Sequence, residues 1–434
     1  MPLQNRTGDW RTLLPPVYLS VVWLTPQFRL PLGPFDGIPL YVVFTALVLA
    51  LLRFEVKVYF LVTLALLILY EALKSLQFGF EFTTKGFLGL FALAAIFVAN
   101  HFSLIAVGRL NNAQIGKWLR YVLFLLSGSI LFDLLILGPA GVVTSGFRHY
   151  FLPIQSFSGF FAEPSVLGLA LPPFIFLLIF RPALYLKYLG KTSLFALLLI
   201  VLLCPSATLL AIIALTAFVR LLERGAQGRL IAVLIGAPLL LVFSWALLTL
   251  PEFAIRLTGA LGLQPTDVMW AERNFSSLVF VKGEQMAWYA LRHFPLGVAF
   301  LNNETLALYV PISRLSKAFF DQNSKDNATI LFRGICEFGW PFIVFAMISL
   351  YRLAKHIVLI DTYSLYQSVL VSFEFTFLCY FVRGGNYFAG AISISLALLF
   401  FQMFPTLKRG SAGIPATRRR PPLTPLQRFD GQKT

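Results

Sequence analysis

The chain has 434 residues, 58% of them hydrophobic and 12% charged, with a mean hydropathy of +0.79, values that exclude a water-soluble globular domain and define a polytopic membrane protein. Its formal net charge of +16 does not imply nucleic-acid binding, because the cations collect in short connections and in the C-terminal tail, where they set membrane topology. Apolar runs of roughly 17–25 residues recur along nearly the whole length, so the expected fold is all-α, a transmembrane helical bundle rather than a barrel.

Taken in chain order, the apolar runs place spans near 12–27, 37–53, 57–76, 86–107, 118–138, 164–180, 192–204, 206–222, 229–250, 328–352, 362–382 and 386–404. That is about twelve crossings. The first run lies among prolines and lacks a small-residue cleavage site, so it is expected to remain as a helix. The pair 192–204 and 206–222 is short and could pass for one bent helix. Arg181, Lys187 and Lys191 precede it and Arg220, Arg224 and Arg229 follow it. The positive-inside rule puts both clusters on the cytoplasmic side, which requires a turn at Cys204-Pro205-Ser206. By the same rule Arg53/Lys57, Arg109/Lys117/Arg120, Arg352/Lys355/His356 and both termini are cytoplasmic.

Four regions result: residues 1–250, a bundle of nine spans with an external loop at 139–163; 251–327, a large external loop acting as a cap; 328–404, the last three spans; and 405–434, a basic tail. Within the cap, Met286, Ala287, Ala290 and Leu291 between Gly283 and His293 mark an amphipathic helix. The tail carries Lys408, Arg409, Arg418-Arg419-Arg420, Arg428 and Lys433 among Pro, Gly and Thr. Such a segment cannot bury a core, and it is attracted to anionic lipid. Cys204, Cys336 and Cys379 sit in or beside apolar segments, which argues against a disulfide framework or a thiolate metal site.

The polar residues that stand out lie on the external side. Pro164 is suited to the first position of a helix and pushes Glu163 into an extended conformation just before it. Within the same span Pro172-Pro173 interrupts the helical hydrogen-bond ladder, a break that neighbouring helices or a hydrated cavity must satisfy. Arg148, Arg273, Lys282, Arg292, Arg314 and Arg333 put positive charge where the topology rule disfavours it. Either they bind an anionic ligand such as a diphosphate, or they pair with Glu272, Glu284, Glu304, Asp321 and Asp326 of the same loop. Arg383, at the turn Arg383-Gly384-Gly385-Asn386-Tyr387 between two apolar helices, is expensive unless it faces a polar cavity or a phosphate. Glu163 alone would count as an acid stabilising a helix N-terminus. His101 and His149 are candidate bases or simply hydrogen-bonded side chains. No Asp-x-Asp pair, Walker loop, Rossmann fingerprint or histidine ligand spacing occurs, so no metal or nucleotide cofactor is expected.

Four segments together resemble the O-antigen polymerase and ligase superfamily, in particular its Wzy-like exopolysaccharide polymerases. They are Gly159-Phe160-Phe161-Ala162-Glu163-Pro164-Ser165 after an external Arg; the short helix pair hinged at Pro205-Ser206; Phe294-Pro295-Leu296-Gly297-Val298 with Asn302-Asn303, followed by Asn327 and Glu337-Phe338-Gly339-Trp340-Pro341; and Phe381-Val382-Arg383-Gly384-Gly385-Asn386-Tyr387. The likeness covers roughly residues 140–400. Two positions depart from the pattern: Asp326 stands where ligases carry a His, which favours polymerase over ligase, and Ala299 replaces the second glycine of Gly-x-Gly.

The resemblance implies a GT-C-like, metal-independent membrane glycosyltransferase in a bacterial inner membrane. It would transfer a growing glycan from undecaprenyl diphosphate to the next lipid-linked repeat unit at the periplasmic face. Arg148, Arg273 and Arg383 would meet the diphosphate, assisted by Lys282 or Arg333, with Glu163 as general base or as the group orienting an arginine. Asn327 and Tyr387 match motif positions expected to contact substrate. Expected partners are the undecaprenyl-diphosphate-linked oligosaccharide, membrane lipid and a chain-length regulator or export complex. The alternatives are ligation of polymer to another acceptor and transport of a lipid-linked oligosaccharide or small molecule, although duplicated halves typical of transporters are not evident.

Overall fold

The computed structural model describes residues 10–24, 29–30, 38–51, 58–79, 84–137, 149–151, 154–157, 159, 161, 163–225, 275–310, 328–381, 383–384, 387–388 and 390–403. Helices dominate: α1 Trp10–Leu24, α2 Leu40–Leu51, α3 Tyr59–Phe78, α4 Thr84–Val107, α5 Asn112–Phe132, α6 Pro164–Gly168, α7 Pro172–Phe180, α8 Pro182–Tyr188, α9 Lys191–Leu203, α10 Ala207–Glu223, α11 Phe275–His293, α12 Glu304–Ala307, α13 Ile330–Phe338, α14 Trp340–Val358, α15 Leu365–Cys379 and α16 Gly390–Met403. Two small antiparallel hairpins accompany them, β1 Arg29–Leu30 with β2 Ile38–Pro39 and β3 His149–Phe151 with β4 Ile154–Ser156. The expected spans at 229–250 and the tail at 405–434 lie outside the described residues.

Helix α3 shows which solvent the bundle is built for. Leu66, Leu69, Leu73 and Leu76 are exposed along one face, whereas Thr63, Glu71 and Lys74 are buried. In water that arrangement would be inside out, and it suits a helix with lipid on one side and a polar protein interior on the other. Among the described residues, four helices are long and apolar enough to cross a bilayer: Tyr59–Phe78, Gly86–Val107, Asn112–Ile136 and Trp340–Val358. A fifth is reached if Pro182–Tyr188 and Lys191–Leu203, bent by 111°, count as one span. The chain is therefore a membrane-embedded helical protein. Thr12–Leu24, Leu365–Cys379 and Gly390–Gln402 are apolar helices too short for that length criterion.

The centre is formed by α1, α4, α7, α15 and α16. Trp23 of α1 stacks on Phe174 of α7 with ring centroids 5.2 Å apart and meets Phe373 of α15 edge-on at 5.0 Å. The 164–180 run is split into α6 and α7, as Pro172 and Pro173 require. The Phe174 amide turns to the Leu171 carbonyl, and the Ala170 carbonyl so released accepts a 2.8 Å bond from Trp23 Nε1. Helices α9 and α10 separate at Cys204-Pro205-Ser206, with the Ser206 hydroxyl capping α10 by accepting from the Leu209 amide.

One expected span is corrected. Residues 328–352 form two helices, α13 and α14, broken at Gly339, which has φ 60° and ψ −140°. Pro341 in the first turn of α14 has no N–H to offer the Glu337 carbonyl. That carbonyl accepts from Lys74 Nζ at 2.8 Å. The Phe338 carbonyl lies 2.6 Å from Tyr70 Oη. Side chains of α3 thus replace the missing helical bonds.

Because Trp23 satisfies a carbonyl that the proline break leaves without a helical donor, Trp23→Phe should lower stability by about 1–3 kcal/mol. Thermal unfolding in detergent measures this, and an unchanged midpoint would show that the Ala170 carbonyl is satisfied some other way.

Candidate functional site

The four sequence segments form a continuous neighbourhood. The Cys204 thiol donates to the Pro164 carbonyl at 3.5 Å, and a Cβ on Gly168 would lie 3.5 Å from Ser206 Oγ, so the α9–α10 hinge supports α6. A Cβ on Gly384 would approach Leu169 to 2.9 Å, which places Gly384 against the α6–α7 break. Gly384 also donates to the Ala328 carbonyl at 3.0 Å, and the Ile330 amide donates to the Tyr380 carbonyl at 3.3 Å, tying the turn to the start of α13. Finally, the Val298 amide donates to Cys336 and the Trp340 amide to Pro295, locking the Pro295–Val298 loop onto the α13–α14 break. Gly297, at φ 81°, packs so closely on Glu337 that a side chain there would strike backbone.

This neighbourhood lies at one end of the helices. Helix α5 carries Lys117 and Arg120 near its start and runs toward Asp133, whose carboxylate accepts from the Gly159 amide at 3.0 Å. Helix α14 starts beside Pro295 and ends with Lys355 and His356. Lys117, Arg120, Lys355 and His356 therefore occupy the opposite end. There, Arg120 donates to the Tyr188 carbonyl at 3.0 Å.

At the surface of the neighbourhood, Glu163 and Arg383 form an ion pair, Arg383 Nη2 to Glu163 Oε2, at 3.7 Å. Both are nearly half exposed, with side-chain exposures of 46% and 42%. Glu163 has the extended backbone that Pro164 imposes, φ −144° and ψ 150°. Its Oε2 also accepts a 2.8 Å bond from the Ser165 hydroxyl. A carboxylate oriented by a serine beside a guanidinium with open donor positions can take a proton while the guanidinium holds an anion.

Beneath the surface lies a second polar cluster, with two acids set against two bases. Lys74 of α3 pairs with Glu71 and donates to the carbonyls of Val298, at 2.6 Å, and Glu337. The Phe300 amide donates to Glu71 at 3.2 Å. Arg333 donates to the Glu337 carboxylate at 3.1 Å, which also accepts from Asn303 at 3.0 Å. The Arg333 guanidinium lies 4.7 Å from the centre of the Tyr387 ring. Tyr70 Oη sits 2.6 Å from the Leu296 and Phe338 carbonyls, with one proton to share between them. Glu71, Lys74, Arg333 and Glu337 are each at most 1% exposed, so the cluster is closed off from the surface.

The structure thus brings together Glu163 with Arg383, and Arg333 with Tyr387. Arg333 and Tyr387, expected among the substrate-binding residues, are both buried in the polar cluster beneath the surface pair. Lys282 is also buried, on α11, which packs along α13. Arg148, Arg273 and Asn327 lie outside the described residues. His101 is stacked on Phe401, with centroids 4.3 Å apart, in the core. Cys204, Cys336 and Cys379 are buried, and none is in a disulfide among the described residues. Among the described residues, no group of three or more His, Cys, Asp or Glu could hold a metal ion. Sequence reasoning missed Glu71 and Lys74, although a Glu and a Lys one turn apart inside an apolar run are costly enough to be a signal.

No family model, curated protein or solved structure matches the chain.

The two ionic groups should respond to mutation by very different amounts. Lys74→Met leaves Glu71 and two carbonyls buried without their donor, and should cost about 3–5 kcal/mol. Arg383→Gln breaks an exposed pair and should cost less than about 1 kcal/mol. Thermal melts of both variants in one lipid-detergent mixture test the contrast, which equal losses would contradict.

Proposed function

We propose that the chain is a polysaccharide polymerase, a metal-independent glycosyltransferase acting on lipid-diphosphate-linked oligosaccharides at the outer face of a bacterial inner membrane. The observation that carries the reading is the exposed Glu163–Arg383 pair, assembled from two segments far apart in the chain. In this reading the fold is a GT-C-like bundle of about twelve spans, and both termini are cytoplasmic. The site would face the periplasm, and the separation of the pair from the basic helix ends agrees with the positive-inside rule.

The chemistry asks for two things that the pair has. An acceptor sugar hydroxyl attacks the anomeric carbon of the donor glycan. Its oxygen forms the new glycosidic bond, its proton passes to the Glu163 carboxylate, and the bond from the anomeric carbon to the phosphate oxygen breaks. The diphosphate leaves with the electron pair. Arg383 meets that negative charge through its planar donor fork, and fixed charges of this kind commonly supply the largest share of catalysis. Arg148 and Arg273 are the further cations assigned to the leaving group. Gly384 and Tyr387, on the C-terminal side of Arg383, are both held near α13, Gly384 by its bond to Ala328 just before the helix and Tyr387 by its contact with Arg333 within it.

Purified protein incubated with an undecaprenyl-diphosphate-linked repeat unit and no added metal should yield a ladder of chain lengths. Glu163→Gln and Arg383→Ala, at unchanged expression and melting temperature, should each reduce polymer by about 100-fold, in the range of a lost acid–base or charge-stabilising group. Arg383→Lys should shorten the products. Wild-type ladders from Arg383→Ala would rule out this site.

A further inference from the structure

The two ionic groups differ in how easily they can change partners. In the buried cluster each charge is enclosed and paired with its opposite charge, and Glu71, Lys74 and Glu337 are also tied to carbonyls or amides. Exchange there would strand a charge in an apolar interior. The Glu163–Arg383 pair is long, single-contact and nearly half exposed, the kind of pair that contributes little to stability. It nevertheless fills the position a ligand anion would take, because the Glu163 carboxylate already faces Arg383 Nη2.

We propose that Glu163 is an exchangeable internal anion: a diphosphate binding at Arg383 takes over the guanidinium and releases the carboxylate. The inference rests on the polymerase reading and adds an order of events to it, since the base becomes available when the donor's diphosphate is in place. The local structure suits an exchange confined to side chains. The backbone of the turn is held by the Gly384 amide on Ala328 and the Tyr380 carbonyl on Ile330, so the guanidinium can swing while its backbone stays. Ser165, bonded to the same Oε2 that faces Arg383, keeps the released carboxylate in place. A diphosphate offers several oxygens for bidentate contact, against the single Glu163 contact observed, so exchange strengthens the binding of Arg383.

The test is titration of inorganic diphosphate into full-length protein in lipid nanodiscs, comparing wild type, Glu163→Gln and Arg383→Gln, with melting curves to check that each variant is folded. Removing the competing carboxylate should tighten diphosphate binding by about two- to five-fold, the range an exposed ion pair is worth. Glu163→Gln would then bind diphosphate better than wild type yet make less polymer. Arg383→Gln should weaken binding by about ten-fold or more, as loss of charge-assisted hydrogen bonds predicts. Unchanged or weaker binding by Glu163→Gln, with Arg383→Gln still weakened, overturns the exchange and leaves the polymerase reading standing. Wild-type affinity in Arg383→Gln overturns the anion site itself, and the polymerase reading with it.

Discussion

The ammonium of Lys74 is the contact on which the arrangement of the site depends. It sits on a spanning helix beside Glu71 and donates to the carbonyls of Val298 and Glu337. The second of these carbonyls has no helical donor because residue 341 is proline. In a membrane-embedded protein an unsatisfied carbonyl costs several kcal/mol, and water is not at hand to relieve it. One charged side chain thereby holds α3, the Pro295–Val298 loop and the α13–α14 break together. Tyr70 does the same for the Leu296 and Phe338 carbonyls, one turn earlier on the same helix.

From that anchor the order reaches the surface in short steps. Glu337 holds Arg333 and Asn303, and Arg333 lies over Tyr387, four residues after Arg383. On the other side, the α9–α10 hinge supports Pro164, which fixes the backbone of Glu163. The exposed pair is thus the meeting point of two rigid supports. A loose ion pair on a stiff frame is a sensible place for chemistry, because the side chains can move without the backbone paying any strain.

The proline breaks follow one logic. At Pro172-Pro173 the released Ala170 carbonyl goes to the indole of Trp23, and at Pro341 the released Glu337 carbonyl goes to Lys74. In each case the donor comes from another helix, so a local defect in one helix becomes a specific contact between two. This explains why α6 and α13, both short, occupy defined positions beside the site: their ends are bonded to neighbouring helices.

Much of this was legible in the chain itself. Composition and apolar runs determined a membrane-embedded helical protein, since no aqueous fold could hide so many large apolar side chains. Pro164 and Pro172-Pro173 determined where α6 and α7 would start and break, because proline lacks the donor that an unbroken helix needs. The unusual position of Arg383 marked it as a residue worth following. Only the tertiary structure decided that Arg383 faces Glu163, that Arg333 and Tyr387 are interior supports, and that residues 328–352 are two helices. These outcomes depend on Lys74, Tyr70 and Glu337 meeting across long sequence separations. A charge in an apolar run signals that a partner must exist, but which partner it is depends on how the helices pack.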